Sequence, residues 1–265
     1  MELGWNIFPW VAVVVFALSL TAAVIAAISR ERSRMAIACD VAAITVFAIF
    51  IAMLWMALER PPLRTMGETR LWYSLFLLMA GLFTYARWQF RWILSFSTLL
   101  ASVFMVINIL KPEIHDQTLM PALQSPWFVP HVSVYMFSYA LLGCATLLAI
   151  GALTTQSDKL DNAIERLLYG GLAFVTIGMF LGAIWAKDAW GAYWSWDAKE
   201  AWAAVTWGLY LVAVHLALRP STYSNVWQKR TYYATIIVAF LALQMCWWGV
   251  NYLPTAADSI HTYNQ

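Results

Sequence analysis

Charged residues are scarce in this sequence: Asp, Glu, Lys and Arg make up 11% of its 265 residues, against about 25% in a soluble domain. Hydrophobic residues make up 62%, and the mean hydropathy is +0.67. This balance excludes an ordinary soluble domain and predicts an integral membrane protein. The basic residues are divided among separate loops, so no continuous basic face is left to bind nucleic acid.

Several motifs of soluble enzymes and transporters are missing as well. The three cysteines, Cys39, Cys144 and Cys246, form no Cys-x-x-Cys pair and lie in apolar runs, so we interpret them as buried thiols. The sequence has no phosphate-binding G-x-x-x-x-G-K-[S/T], no H-E-x-x-H, no G-x-S-x-G and no two halves with matching broken helices. The first apolar run lacks a basic n-region and a cleavage site, which indicates a retained helix rather than a signal peptide.

Long apolar segments dominate what is present. A transmembrane helix needs about 20 mostly apolar residues, and the qualifying segments are 5–29, 35–58, 71–87, 92–110, 128–152, 166–186, 200–218 and 231–250. The sequence therefore predicts an all-α polytopic membrane protein with about eight transmembrane helices. We expect residues 1–265 to form a single transmembrane domain.

The distribution of Lys and Arg predicts the orientation in the membrane. With both termini on one side, one set of loops holds ten of the 16 basic residues and the other set holds six. The richer side is expected in the cytoplasm, which puts both termini on the outer (periplasmic) face of the inner membrane. The long segments 59–70, 111–127 and 251–265 then share the outer face with a tryptophan-rich stretch.

That stretch has the most unusual composition in the chain, with six tryptophans between Trp185 and Trp207. Tryptophan is large, flat and apolar, with a single N–H donor. Interleaved with a few charges, such rings suit a large flat apolar ligand, but they equally suit an aromatic belt at the membrane interface. Both interpretations are open on composition alone.

Two histidines occur on the same outer face as the tryptophans. Pro130 is well placed to begin the fifth helix, and His131 follows it; His261 lies in the C-terminal tail. Imidazole is a common axial ligand of haem iron, and two histidines fill both axial positions. Propionates of such a ligand would need basic partners, for which the outer candidates are Arg60, Arg64, Arg70, Lys187 and Lys199.

Three other polar residues need an explanation. His215 lies about 22 Å deeper than the start of the seventh helix. An ionisable group there is either functional or snorkels to the membrane interface, close to Arg219. We interpret His115 as a solvated loop residue; the alternative is a metal site that it would form with Glu113 and Asp116, which are close in sequence. Asp40 either reaches the inner interface or pairs with a neighbouring helix.

The segment Trp190-Gly-Ala-Tyr-Trp-Ser-Trp-Asp-Ala-Lys-Glu-Ala-Trp202 resembles the "WWD" motif of haem-handling proteins. Its form is similar to that of the CcsA/ResC branch, the membrane subunit of the System II cytochrome c synthase. Residues 119–131 and 248–261 resemble the family segments that carry two outer histidines. The resemblance covers a family core at 119–265 with a WWD loop at 185–202, whereas 1–118 show only the general helical pattern.

The resemblance implies a set of haem-binding residues. His131 and His261 would be the axial ligands of an outer haem b, and His215 would hold a membrane haem whose second ligand comes from a partner chain. The haem cradle would comprise Trp190, Gly191, Tyr193, Trp194, Trp196, Asp197, Glu200 and Trp202.

The resemblance also implies a reaction and its partners. Such proteins act with a CcsB-type membrane partner. Haem crosses from the cytoplasmic to the outer side, where it is attached to the Cys-x-x-Cys-His segment of apocytochrome c. The substrate thiols attack the haem vinyl groups, so we expect no catalytic residue in this chain; its work is to bind and orient. Two alternatives are a haem exporter that loads a chaperone, as in the CcmC branch, and a transporter that binds no haem.

Overall fold

The computed structural model describes residues 2–115, 121–155 and 158–253, and this part of the chain is helical with no β-strand. Its long helices are α1 (Phe8–Ile28), α2 (Arg34–Leu58), α3 (Met66–Trp88), α4 (Trp92–Leu110), α5 (Phe128–Ala152), α6 (Asp158–Trp190), α7 (Ala198–Ala217) and α8 (Val226–Trp247). Short helical turns occur at Glu2–Asn6, Pro112–His115, Pro121–Gln124, Pro220–Ser224 and Gly249–Tyr252.

Each predicted apolar segment overlaps one long helix, and the all-helical class is confirmed for the described residues. By length and composition, six helices in the described residues could cross a membrane: α1, α2, α4, α5, α6 and α7. Charged residues lie near the ends of the other two, with Glu68, Arg70 and Arg87 in α3 and Lys229 and Arg230 in α8. Eight spans and outward-facing termini remain predictions.

Side chains just outside the helices explain several boundaries. The Ser33 hydroxyl accepts the Ala36 N–H at 3.2 Å and begins α2. Thr65 and Glu68 form a capping box at the start of α3, in which each side chain accepts the other residue's backbone N–H. The Asn225 side chain accepts the N–H groups of the first turn of α8. These acceptors satisfy donors that a helix N-terminus leaves unpaired.

The chain divides into two compact units, at residues 1–119 and 120–265. In the first unit, α1 packs on α2 and α4, and α3 packs on α4. The α3–α4 contact is close at Gly81, where an added Cβ would lie 2.2 Å from the Ser97 hydroxyl oxygen. A small residue is therefore required at that crossing.

The first unit corrects the interpretation of His115 as a solvated residue. Its imidazole stacks on the Trp5 indole with ring centroids 3.6 Å apart and planes 9° apart. A Cβ at Gly67 would lie 2.4 Å from the imidazole Cδ2, so the ring also packs against the backbone of α3. Aromatic stacking outweighed the polar sequence context, which suggested a solvated loop.

Asp40 lies inside the first unit rather than at an interface. It is 1% exposed, and neither of its carboxylate oxygens has a hydrogen-bond partner among the described residues. The Ser19 hydroxyl of α1 is its neighbouring polar group. Helix α1 contains no charged residue. It therefore supplies no counter-ion with which Asp40 could form an ion pair.

In the second unit, α5 packs on α6, α7 packs on α8, and further contacts join α5 to α8 and α6 to α7. We call the end that carries residues 191–197 the loop end. At the opposite end, the Lys229 ammonium lies 2.6 Å from the Asp161 carboxylate, which also accepts the Tyr233 hydroxyl. This polar network joins the start of α6 to the start of α8.

Candidate functional site

The tryptophan-rich loop is shorter than the sequence predicted. Helix α6 continues to Trp190 and α7 begins at Ala198, so only residues 191–197 lie between helices. Trp185 and Trp190 therefore belong to α6, and Trp202 belongs to α7. The predicted loop boundaries of 185 and 202 are wrong because a glycine and a capping box place the helix ends closer together.

Asp197 and Glu200, two of the predicted haem-binding residues, form that capping box. The Asp197 carboxylate accepts the Glu200 N–H at 2.8 Å and begins α7. The Glu200 carboxylate turns back and accepts the N–H of Ser195 at 2.7 Å, its hydroxyl at 3.1 Å and the N–H of Asp197 at 3.4 Å. The Glu200 side chain, which is only 8% exposed, thus holds the loop backbone, and the Asp197 side chain holds the first turn of α7.

Two backbone angles give the loop its path. Gly191 follows α6 with φ = +83°, a left-handed conformation that glycine adopts without steric cost. Trp196 adopts φ = +60°, which costs a side chain with a Cβ about 1–2 kcal/mol. The Trp196 side chain is 72% exposed and Tyr193 is 61% exposed. The loop therefore holds two large rings at its surface, one of them on a strained backbone.

Trp185 and Trp190 of α6 form a packed aromatic group with Phe128 of α5. The Trp185 ring lies 4.7 Å from Trp190 and 5.1 Å from Phe128, measured between centroids. Its indole N–H donates to the Ala122 carbonyl at 2.8 Å. Trp194 meets Trp196 edge-on at 5.6 Å, and its buried indole nitrogen has no partner among the described residues.

His131 lies in the first turns of α5, next to this group. Its ring stacks on Trp185 with centroids 5.4 Å apart and planes 25° apart, and meets Tyr135 edge-on at 4.8 Å. Its Nδ1 lies 2.8 Å from the Gly178 carbonyl oxygen. Because a carbonyl only accepts, Nδ1 must carry the proton and the lone pair of the neutral ring is on Nε2. This is the usual state of a histidine that binds a metal through Nε2.

The basic residues proposed as propionate partners already make hydrogen bonds within the protein, through their side chains or their backbone. Lys187 is exposed and lies beside the loop: its ammonium donates to the Gly191 carbonyl at 2.7 Å and lies over the Tyr193 ring. The Lys199 carbonyl accepts the Cys246 thiol at 3.5 Å, which places the start of α7 beside the end of α8. In the first unit, Arg60 makes two hydrogen bonds of 2.8 and 2.9 Å to the Glu68 carboxylate.

The second candidate from the first unit, Arg64, is also tied to Glu68. The Arg64 backbone N–H donates to the Glu68 carboxylate at 2.7 Å. Burial and the neighbouring Arg60 lower the pKa of the Arg64 guanidinium, and the Glu68 charge partly offsets this. Glu68 thus organises this arginine cluster within the first unit.

The remaining predicted iron ligands lie apart from this group or outside the described residues. His215 is near the end of α7, is exposed, and its Nδ1 lies 2.7 Å from the Leu211 carbonyl oxygen. The same argument gives it a lone pair on Nε2. His261 lies outside the described residues. Within the described chain, no three His, Cys, Asp or Glu side chains are grouped as a metal site.

The sequence contained two signals that were not interpreted. Asp-x-x-Glu before an apolar run is a capping-box pattern, and it accounts for Asp197 and Glu200. Gly178-x-x-x-Gly182 is a small-residue pattern for close helix packing. It lies on α6 opposite His131, where a Cβ at Gly182 would lie 2.6 Å from the imidazole Cε1.

Together, the fold and this group of residues define a multi-pass membrane protein with an aromatic platform beside a histidine of fixed tautomer. Comparison with known proteins is specific. The family model described as "Cytochrome C assembly protein" matches residues 62–257, and the chain belongs to this family. It is thus a protein of cytochrome c biogenesis.

Curated relatives carry the description "Cytochrome c biogenesis protein CcsA". The chain is 35% identical to the Chlamydomonas reinhardtii protein over 179 residues, which is 63% of this chain and 48% of that protein. It is 27% identical to the Oenothera argillicola protein over 256 residues, covering 77% and 79% of the two chains. The Synechococcus sp. (strain CC9605) protein is 32% identical over 183 residues, 55% of this chain and 58% of that one. These similarities support a CcsA-type protein.

Proposed function

We propose that this chain is the CcsA-type subunit of a cytochrome c synthase, and that it binds haem and presents it for covalent attachment to apocytochrome c. The observation that carries the proposal is His131, whose Nδ1–H is held by the Gly178 carbonyl while its ring stacks on Trp185. In this tautomer the ring lone pair is on Nε2, the atom through which a histidine of this kind would bind iron. Haem enters the reaction as substrate and leaves attached to another protein.

The tryptophan-rich segment suits the porphyrin ring. The exposed rings of Tyr193 and Trp196 offer flat apolar surface, and the buried indole N–H of Trp194 offers a donor for which the described residues supply no acceptor. Lys187 brings a positive charge beside the loop, where a propionate would find a partner. We assign the cradle to residues 190–202 and expect haem b as the ligand.

The attachment step needs no nucleophile from this chain. Each thiol of the Cys-x-x-Cys-His segment adds across one vinyl double bond: sulfur bonds to the carbon next to the ring, and the thiol proton ends on the terminal carbon. The chain contributes by fixing the distance and orientation of the reactants, which by itself lowers a barrier substantially. His131 and His261 are the proposed axial ligands, one of which must give way to the histidine of the substrate.

His215 supports a partner-dependent second site. It is exposed near the end of α7 with the lone pair of its neutral ring on Nε2, so a ligand from another chain could complete an iron site with it. We propose that a CcsB-type membrane partner supplies that ligand. We place the protein in the cytoplasmic membrane with its tryptophan-rich loop on the outer face.

The absorption spectrum of the purified protein tests haem ligation directly. Protein produced with haem is compared with a His131→Gly variant, in which free imidazole can occupy the vacated position. We expect the variant to lose the haem Soret band and imidazole to restore it. His115→Gly is the matched control, because His115 stacks on Trp5 in the first unit and should leave the spectrum unchanged. A His131→Gly spectrum like that of the wild type would refute the proposal.

Co-expression separates attachment from haem loading. The chain is produced with a CcsB-type partner and an apocytochrome that carries Cys-x-x-Cys-His, and covalent haem is detected in the denatured cytochrome. We expect covalent haem with the wild type and its loss with His131→Gly. Haem binding without any covalent product would favour the exporter that loads a chaperone. Absence of haem binding would favour a transporter for which the tryptophans form only an interfacial belt.

A further inference from the structure

The carbonyl group that holds His131 is accessible for an unusual reason. In an α-helix the carbonyl of residue i points toward residue i+4, whose side chain leans back over it. For Gly178, residue i+4 is Gly182. With no side chain there, the Gly178 carbonyl oxygen is open from the side, and His131 Nδ1 approaches it to 2.8 Å. A carbonyl has two lone pairs and can accept this bond in addition to its helical one.

The space above Gly182 is filled by the imidazole itself. A Cβ at Gly182 would lie 2.6 Å from Cε1 and 2.7 Å from Nδ1 of His131, closer than any real contact. The opposing atoms belong to a ring that Trp185 and Tyr135 also contact. The ring therefore has little freedom to yield without losing its hydrogen bond.

Gly178 has a second role in the same contact. A Cβ at Gly178 would lie 3.2 Å from Cγ and Cδ2 of Tyr135, a tight contact that a small ring movement relieves. Tyr135 meets the His131 ring at 90°. The α6 backbone thus positions His131 directly through Gly182 and indirectly through Tyr135.

We propose that Gly178 and Gly182 are positioning residues for His131: Gly182 exposes the Gly178 carbonyl, and this carbonyl fixes the tautomer and direction of the imidazole. The effect on iron rests on the function proposed above, whereas the effect on the imidazole does not. Mutation of the hydrogen-bond partner that orients a metal-binding histidine typically lowers metal affinity by about 10–100-fold. Gly178-x-x-x-Gly182 would then be a site determinant as well as a helix-packing pattern.

Three alanine substitutions on the same helix form a graded test. We expect Gly182→Ala to weaken haem binding by about 10–100-fold and Gly178→Ala to weaken it less. Gly170→Ala is the control, because its Cβ would meet Leu141 at an ordinary 3.8 Å and should leave binding unchanged. Alanine favours helix over glycine at all three positions, so helix propensity alone predicts no loss. If Gly182→Ala fails to fold, Gly178→Ala against Gly170→Ala decides the question.

A second measurement examines the imidazole without haem. The ¹⁵N chemical shifts of labelled histidine report which ring nitrogen is protonated, and His131→Gln assigns the signal. We expect the Nδ1–H tautomer in the wild type and in Gly170→Ala, and its loss in Gly182→Ala.

The outcomes separate this inference from the proposed function. If wild type and His131→Gly bind haem equally, the proposed function fails. If His131→Gly loses haem while Gly182→Ala keeps both wild-type affinity and the Nδ1–H tautomer, the proposed function stands and the positioning role is wrong. Equal losses in Gly182→Ala and Gly170→Ala would also overturn the positioning role.

Discussion

Replacing Glu200 by alanine tests how the tryptophan-rich loop is held. The carboxylate accepts hydrogen bonds from the Ser195 N–H, the Ser195 hydroxyl and the Asp197 N–H at 2.7, 3.1 and 3.4 Å. The Asp197 side chain still begins α7 in the variant, because its bond is to the backbone N–H of position 200. The substitution therefore removes the loop anchor and leaves the helix N-cap in place.

The magnitude follows from these contacts. A hydrogen bond to a charged group is worth about 1.5–3 kcal/mol. Because Ser195 is exposed, water replaces part of the lost hydrogen bonding in the variant. We therefore assign about 1.5 kcal/mol to the shortest bond and about 0.5 kcal/mol to the other two together. The total of about 2 kcal/mol corresponds to about 30-fold more opening of the loop. Glu200→Gln keeps an oxygen acceptor without the charge, and we expect about half that free energy.

Amide hydrogen exchange with mass spectrometry measures this opening in the segment 191–203. We expect faster exchange there in Glu200→Ala, an intermediate rate in Glu200→Gln and little change in α5. The matched control is Asp188→Ala, which removes an exposed acidic side chain from the last turn of α6. Loop exchange that stays at the wild-type rate in Glu200→Ala, or that rises equally in Asp188→Ala, would refute the anchoring role.

Two other predictions concern backbone strain and pH. Trp196→Gly should be more stable than Trp196→Ala by about 1 kcal/mol, because both lose the indole and only alanine keeps the cost of φ = +60°; equal thermal unfolding temperatures of the two variants would contradict this. Burial and a hydrogen bond to the Glu165 carboxylate raise the pKa of the Tyr223 hydroxyl above its usual value near 10. Its stabilising effect is then complete below about pH 10 and lost as pH rises further, so the stability difference between wild type and Tyr223→Phe should shrink in unfolding measurements from about pH 8 to about pH 11. A constant difference would contradict the assignment.

Local sequence patterns were sufficient to predict where the helices lie. The apolar segment 92–110 coincides with Trp92–Leu110, and 128–152 coincides with Phe128–Ala152. Runs of apolar residues predict helices well because a chain in a membrane must satisfy its backbone hydrogen bonds internally. The ends of α6, predicted at 166 and 186, were predicted less well. The apolar run stops at about residue 186, whereas the helix continues to the glycine at 191, whose left-handed conformation ends it.

Hydropathy alone also left the positions of the polar residues undetermined. His115 was expected in solvent and lies stacked on Trp5, 110 residues earlier in the chain. For Asp40 the sequence left two environments open, the inner membrane interface and a pair with a neighbouring helix. In the structure it lies buried beside Ser19. A sequence pattern reports the average environment of a segment, whereas the partner of one polar side chain depends on which helix packs against it.

The sequence by itself determined the class of the protein, its helices and its family, because these follow from composition, from long apolar runs and from the resemblance of a tryptophan-rich motif to a known family. Only the tertiary structure decided how His131 is held. Its partners Gly178 and Trp185 lie on another helix, 47 residues or more along the chain. No local pattern specifies such a contact: it exists because two glycines let α5 approach α6 closely enough for an imidazole to reach a helical carbonyl.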